Sequence, residues 1–318
     1  VVGNRATGLY SSAFGSGTEA TNEGAFATGT STHALGKTSV AMGTDCLSMA
    51  DCSFSIGATC NTKGSCSQSM GYLNNIDEHS SYACATGYKN EVENAISSFT
   101  SGSDNHNKSR ASIVSGSSNN VEGSCNLVSG TGNAVVSESN NVIVSGYHNT
   151  IHDTTNSIIS GHETQAVESN SVFSIGVNYI VKTRNSIISG TSNNLYGGSN
   201  TDGIANILVV GEGNKAYCSN TIIAGENNNV AGTRSLVAGY LNVLGMAGET
   251  GAVQETYGIS CIVSGNDNHS IGKFNLIQGE GLSDFSAKSS ENKGDAYPSL
   301  QNLPSSIASS ATFVGSYN

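Results

Sequence analysis

The chain has 318 residues and a formal net charge of −11; only 12% of residues are charged, Trp is absent and Pro occurs twice against 39 Gly. An acidic chain with no Lys/Arg cluster is not built to grip nucleic acid, and it holds no run of the roughly eighteen apolar residues that a membrane-crossing helix needs. The abundance of Gly, Ser, Asn and Thr would suit disorder, but Ile and Val pairs recur here at a fixed period, which disordered chains do not show.

Taken in order, the chain is one unit repeated. The unit is two apolar residues, a small residue, Gly, two variable residues, Asn, and an apolar residue two further on. Ser219–Gly245 contains it twice, with Gly225 and Gly239 fourteen apart and Asn228 and Asn242 likewise. With the repeat glycine as position 0, the series opens at Gly15, Gly29, Gly43, Gly57 and Gly71 and runs on to Gly265 and Gly279. Self-similarity at a fixed period marks a stacked repeat architecture.

Two dialects are legible. Residues 1–72 carry units such as SVAMG and SFSIG, with larger apolar residues at −3 and −1. Residues 73–282 carry SIVSG, SIISG and SLVAG, with −3 and −2 both apolar, Asn at +3 and an aliphatic residue such as Val121 or Leu195 at +5. The sequence begins mid-pattern at Val1, as a piece of a longer protein would. Fourteen residues suit two short strands and two turns. β-Branched pairs favour strand, Gly tolerates a bend, and Asn suits a turn through left-handed geometry or a side-chain bond to backbone. The expected fold is all-β: a parallel β-solenoid, or β-roll, of about fourteen residues per coil, with coils stacked about 4.8 Å apart. In that stack Asn119, Asn133, Asn149, Asn193, Asn228 and Asn242 are placed to form an amide ladder.

Neighbouring residues on a strand face opposite ways, so one member of each aliphatic pair lies outside the coil. Taking the first member as inward puts Val114, Val128, Val144, Ile159, Ile188, Ile223, Val237 and Val263 outside. There they form an apolar stripe that a soluble monomer rarely exposes. A fourteen-residue coil also has a thin interior. Together these point to a side-by-side homotrimer with that stripe as its seam; local bulges turning both residues inward are the alternative.

Insertions fall after position +5 and emerge at one edge. The two largest are 196–204 and 246–257, where Tyr196, Asp202, Glu249, Glu255 and Tyr257 are candidate ligand contacts; passive loop drift is the other reading. Residues 283–318 leave the pattern and read as a cap or linker.

The eight cysteines show no CxxC zinc spacing. Cys46 and Cys60 are one period apart, as are Cys52 and Cys66. They read as small buried residues at repeat positions, as disulfides between stacked coils, or as metal ligands. His148 and His152 flank a turn without needing to converge. Asp104–His106 and Asp267–His269 share one repeat phase and read as solvated turns, with a small bound cation as the alternative. Asn107–Ser109 and Asn268–Ser270 are glycosylation sequons. No catalytic motif and no face of clustered acids appears, and Thr is not periodic enough for an ice-binding array. The expectation is a non-enzymatic chain with no cofactor and no metal.

The N-terminal units, above all Ser39–Gly57 (SVAMGTDCLSMADCSFSIG), resemble the head repeats of trimeric autotransporter adhesins of the YadA type. The resemblance implies a left-handed parallel β-roll with three chains side by side, at an extracellular cell surface, adhering to a host matrix protein, cell surface or glycan. A phage or virus tail-fibre shaft is the alternative. No family binding residue carries over, because the shared motif carries packing and not chemistry.

Overall fold

The alternation of inward and outward side chains that the sequence implies is realised as a wound ribbon of short parallel strands. The computed structural model describes residues 3–136, 138–197, 204–245, 260–270, 274–280 and 312–316. Among them every regular element is a β-strand, and each strand pairing is parallel. The chain forms two compact units, 1–156 and 157–318.

In the first unit the coils pair a five-residue strand from −3 to +1, such as Val40–Thr44, with a second strand that starts at +4 and runs for two residues, as in Leu47–Ser48, up to five, as in Asn120–Ser124. The register advances one repeat per coil: Val40 lies against Phe54, Gly43 against Gly57, and Leu47 against Asn61. The corners turn on residues the repeat leaves variable. Position +2 is left-handed in Ser31, Asp45 and Thr59, and so is position −5 in Thr38, Cys52 and Cys66. The corner amides join the ladder as well, since the Asp45 N–H donates to the Thr30 carbonyl at 2.9 Å and the Cys52 N–H to the Lys37 carbonyl at 2.9 Å.

Five columns fill the interior, at −7, −4, −2, +3 and +5. Ser109, Ser112, Val114, Asn119 and Val121 are one such set, and all five are buried. The bore changes along this unit. Ala20, Ala25, Ala27, Ala34, Ala41, Cys46 and Cys60 make one apolar cluster. Hydroxyls follow: Ser55 donates to the Cys60 carbonyl at 2.7 Å, and Thr62 and Ser69 share a hydrogen bond of 2.6 Å. Beyond them the columns widen to Ile76 and Val92, then to Val114, Val121 and Val128. The two dialects of the sequence are thus a narrow and a wide interior.

The second unit repeats the wide coil, with Ile222 against Leu236 and Ile223 against Val237. One corner departs from the repeat. The register shifts between Val177 and Asn178, where Asn178 pairs with Asn193, so the corner after Gly176 is one residue short. The stretch read as a non-repeat tail contributes the strand Thr312–Ser316, which lies parallel to Leu276–Glu280 with Gly315 against Gly279. The remainder of 283–318 lies outside the described residues.

The repeat glycine is fixed by geometry twice over. Gly116 has φ +108, and a Cβ added there would sit 2.0 Å from the Gly130 carbonyl oxygen of the next coil. Gly116→Ala is expected to destabilise its unit by about 3 kcal/mol or more. Gly3→Ala, where nothing lies within 4 Å of the added methyl, should stay within about 0.5 kcal/mol of the parent. Urea titration of the two variants checks both.

Candidate functional site

Two repeated features carry the structure's chemistry: a buried amide ladder and an exposed aliphatic stripe. Position +3 faces inward, so its amide is removed from water and must be satisfied within the protein. In the first unit the ladder runs Asn74, Asn90, Asn105, Asn119, Asn133 and Asn149, each Nδ2 donating to the preceding Oδ1 at 2.9–3.0 Å. In the second it runs Asn178, Asn193, Asn214, Asn228, Asn242 and Asn268, at 3.0 Å per rung. Asn119 shows the full pattern. Its Nδ2 also reaches the Ser115 carbonyl at 3.1 Å and the Gly130 carbonyl at 2.9 Å, while its Oδ1 accepts both the backbone N–H and the Nδ2 of Asn133.

Sequence reasoning placed Asn119, Asn133, Asn149, Asn193, Asn228 and Asn242 in this column. It missed Asn178, whose offset from Gly176 is one residue short. It also missed Asn126, which repeats the device at −4 by donating to the Glu122 and Ser139 carbonyls, both at 2.9 Å.

The stripe is real, but its members are the other half of each pair. Val114, Val128 and Val144 in the first unit, and Ile159, Ile188, Ile223, Val237 and Val263 in the second, are all fully buried inside the coil. The outward residues are Ile113 (49% exposed), Leu127 and Ile143, and in the second unit Ile158, Ile187, Ile222 (46%), Leu236 and Ile262. The cause is strand phase: −3, −1 and +1 share a face, and −1 and +1 carry residues such as Ser115 and Ser117. That polar pair was the signal for the correct phase; the aliphatic doublet by itself is symmetric. Both members are not turned inward by bulges. Within the first unit Ile113, Leu127 and Ile143 lie in direct register, as do Ile187, Leu208, Ile222, Leu236 and Ile262 in the second.

Of the loop candidates, Asp202, Glu249, Glu255 and Tyr257 lie outside the described residues. Tyr196 ends the strand Thr183–Tyr196 and meets the Tyr217 ring edge-on, centroids 6.4 Å apart. Cys46, Cys60, Cys218 and Cys261 are buried free thiols, the small-residue role expected of them, whereas Cys52, Cys66 and Cys125 are exposed at left-handed corners. Burial pushes the Cys218 thiol up to about 12.

The histidine motifs do not converge. His148 stacks on Tyr147 at 3.8 Å, while His152 pairs with Asp153 at 2.9 Å. In Asp104–His106 the central Asn105 points inward to the ladder, Asp104 pairs with Lys89 at 3.2 Å, and His106 pairs with Glu93 at 3.2 Å. Among the described residues no group of three or more His, Cys, Asp or Glu side chains is placed to hold a metal ion. Both sequon asparagines, Asn107 and Asn268, are fully buried, so neither amide is open to a glycosyl donor in the folded chain.

Removing one rung of the ladder strands its neighbours. Asn119→Ala leaves Asn133 without its acceptor and two carbonyls without a donor, a loss of about 3 kcal/mol expected from the cost of buried unpaired groups. The adjacent outward residue gives the contrast, with Asn120→Ala near neutral; thermal melts of the two variants measure the difference.

A second expectation concerns pH. Hydrogen bonds from Lys108 and then His106 hold Glu93 below the usual carboxylate value. A carboxylate depressed in this way stabilises the fold above its unfolded pKa of about 4.3, and the contribution fades as pH falls through the folded value. Because the Glu93 side chain is 39% exposed, the effect stays under about 1 kcal/mol. Glu93→Gln should flatten the acid limb of the stability curve by no more than that.

No protein-family model and no curated protein matches the chain.

Proposed function

We propose that this chain is a structural adhesion module: a homotrimeric β-roll head, displayed at an extracellular surface, that holds many weak binding surfaces in a fixed array. It acts through multivalent contact with a host surface protein or glycan and not through catalysis, nucleic-acid binding or membrane insertion. The observation that carries this reading is the aliphatic stripe at −3. Side chains from Ile113 to Ile143 in one unit, and Ile187, Ile222, Leu236 and Ile262 with the half-buried Leu208 in the other, stand in register on the outer face. An apolar strip of that kind is the signature of a surface that meets a partner, and identical chains meeting along identical strips generate a closed symmetric assembly. The YadA-type resemblance of Ser39–Gly57 supplies the number three and the cell-surface setting. Affinity then comes from the number of simultaneous contacts, which raises avidity without a deep pocket.

The assembly is tested by size-exclusion chromatography with light scattering. The parent is expected at three times the chain mass. Ile113→Asp with Leu127→Asp should disperse it into folded monomers, because these side chains lie outside the coil. Val114→Asp with Val128→Asp should instead abolish folding, because it places charge in the interior. A stable soluble monomer of the parent chain overturns the trimer.

A further inference from the structure

In the first unit, one stretch of three coils differs from the rest of the surface. Tyr72 and Tyr88 occupy position +1 of consecutive coils, each 47% exposed, and their rings stack with centroids 5.6 Å apart at 11°. The same column holds Ala58 before them and Ser103 after them. These small neighbours leave the outer faces of the ring pair uncovered along the column.

The adjoining corner of the same coils forms a groove of about 370 Å³ lined by Leu73, Asn75, Lys89, Glu91, Asp104 and His106, with backbone and amide from the ladder at its floor. Its polar groups are prepared. Lys89 Nζ and Asp104 Oδ1 are 3.2 Å apart, and Ser103 Oγ donates to Asp104 Oδ2 at 2.9 Å. The hydrogen bond from Ser103 and then that from Lys89 hold the Asp104 carboxyl below its ordinary value, so it stands as an acceptor at neutral pH. Glu91 Oε2 lies 3.9 Å from His106 Nε2. The three coils span about 10 Å along the stack, comparable with a disaccharide.

We infer that this aromatic step and its flanking groove form a binding site for a neutral saccharide. The chemistry of the two halves is complementary. An exposed flat ring offers apolar area at low entropic cost with a polar tip, which suits the C–H face of a pyranose. The ring hydroxyls of the sugar need both donors and acceptors close by, and Lys89, Asp104, Glu91, His106 and Asn75 supply both. Two carboxylates in the groove and an overall charge of −11 disfavour sulfated or uronic chains at longer range. The site is shallow, so one copy binds weakly. This inference rests on the adhesion reading and gives it a ligand class, and a trimer would present the site three times.

The test uses the full chain with cellohexaose, chitohexaose, maltohexaose and mannohexaose, and a heparin hexasaccharide as the anionic contrast, in saturation-transfer NMR and calorimetry. At least one neutral hexasaccharide should bind, with transfer from the Tyr88 ring. Tyr88→Ala should weaken it by about tenfold or more, as for an aromatic anchor, Asp104→Asn should weaken it too, and Tyr88→Phe should keep it. Far-UV circular dichroism checks that the variants stay folded. The site is refuted by no neutral binding at millimolar sugar, by binding to heparin alone, or by Tyr88→Ala and Asp104→Asn both binding as the parent does. A refuted site with an intact trimer leaves the assembly standing; a monomer that still binds sugar through Tyr88 leaves the site standing without the trimer.

Discussion

The wide coils depend on one hydrogen-bonded junction, in which a repeat asparagine meets the repeat glycine of the next coil. The glycine carbonyl is the acceptor for the asparagine amide of the coil before it, as Gly130 is for Asn119. The coils approach so closely at this point that a methyl group on the glycine would overlap the next carbonyl. The amide in turn bonds the backbone of its own coil and of the next, and the side-chain amide of the coil before, at a corner between the two strands. A neutral side chain with two donors and a two-lone-pair acceptor is the only common one that can do all of this without burying charge. Once the junction is in place, the spacing, register and parallel direction of the strands follow from it.

The second constraint is the width of the coil. Five inward columns leave room for one layer of side chains, so every strand has an outer face that its own coil does not cover. Where that face is Ser and Thr it is content in water. Where it is Ile, Leu or Phe it is not, and in the assembly proposed above the position of those residues in a single column sets the direction from which a neighbouring chain would approach. Function in such a molecule resides on the outer columns, because the inner ones are committed to packing.

Much of this was legible in the residues. The period, the parallel stacking, the aliphatic residue at +5 and the amide column all follow from spacing and residue type. The phase of the aliphatic pairs was not, as Ile222 and Ile223 are interchangeable until the polar −1 and +1 positions are counted with them. The left-handed corners were hidden for a different reason. Ser31, Asp45, Leu73, Lys89 and His148 all occupy the same corner, so no residue preference announces it; neighbouring coils hold the conformation in place. Asn178 escaped because one missing corner residue moved it out of count, and Thr312–Ser316 because it stands alone, far from the previous repeat. The tyrosine step was visible only once the register put Ala58 and Ser103 on either side of it.

The change of bore within the first unit gives that unit a weak end and a strong one. Coils lined by alanine, serine and cysteine remove little hydrocarbon from water and are held chiefly by backbone pairing, whereas those lined by valine, isoleucine and the asparagine column gain from both. In a stack where each layer touches only its neighbours, such a gradient makes unravelling directional. The narrow coils peel first, one at a time, while the wide ones hold their shape as an unbroken block.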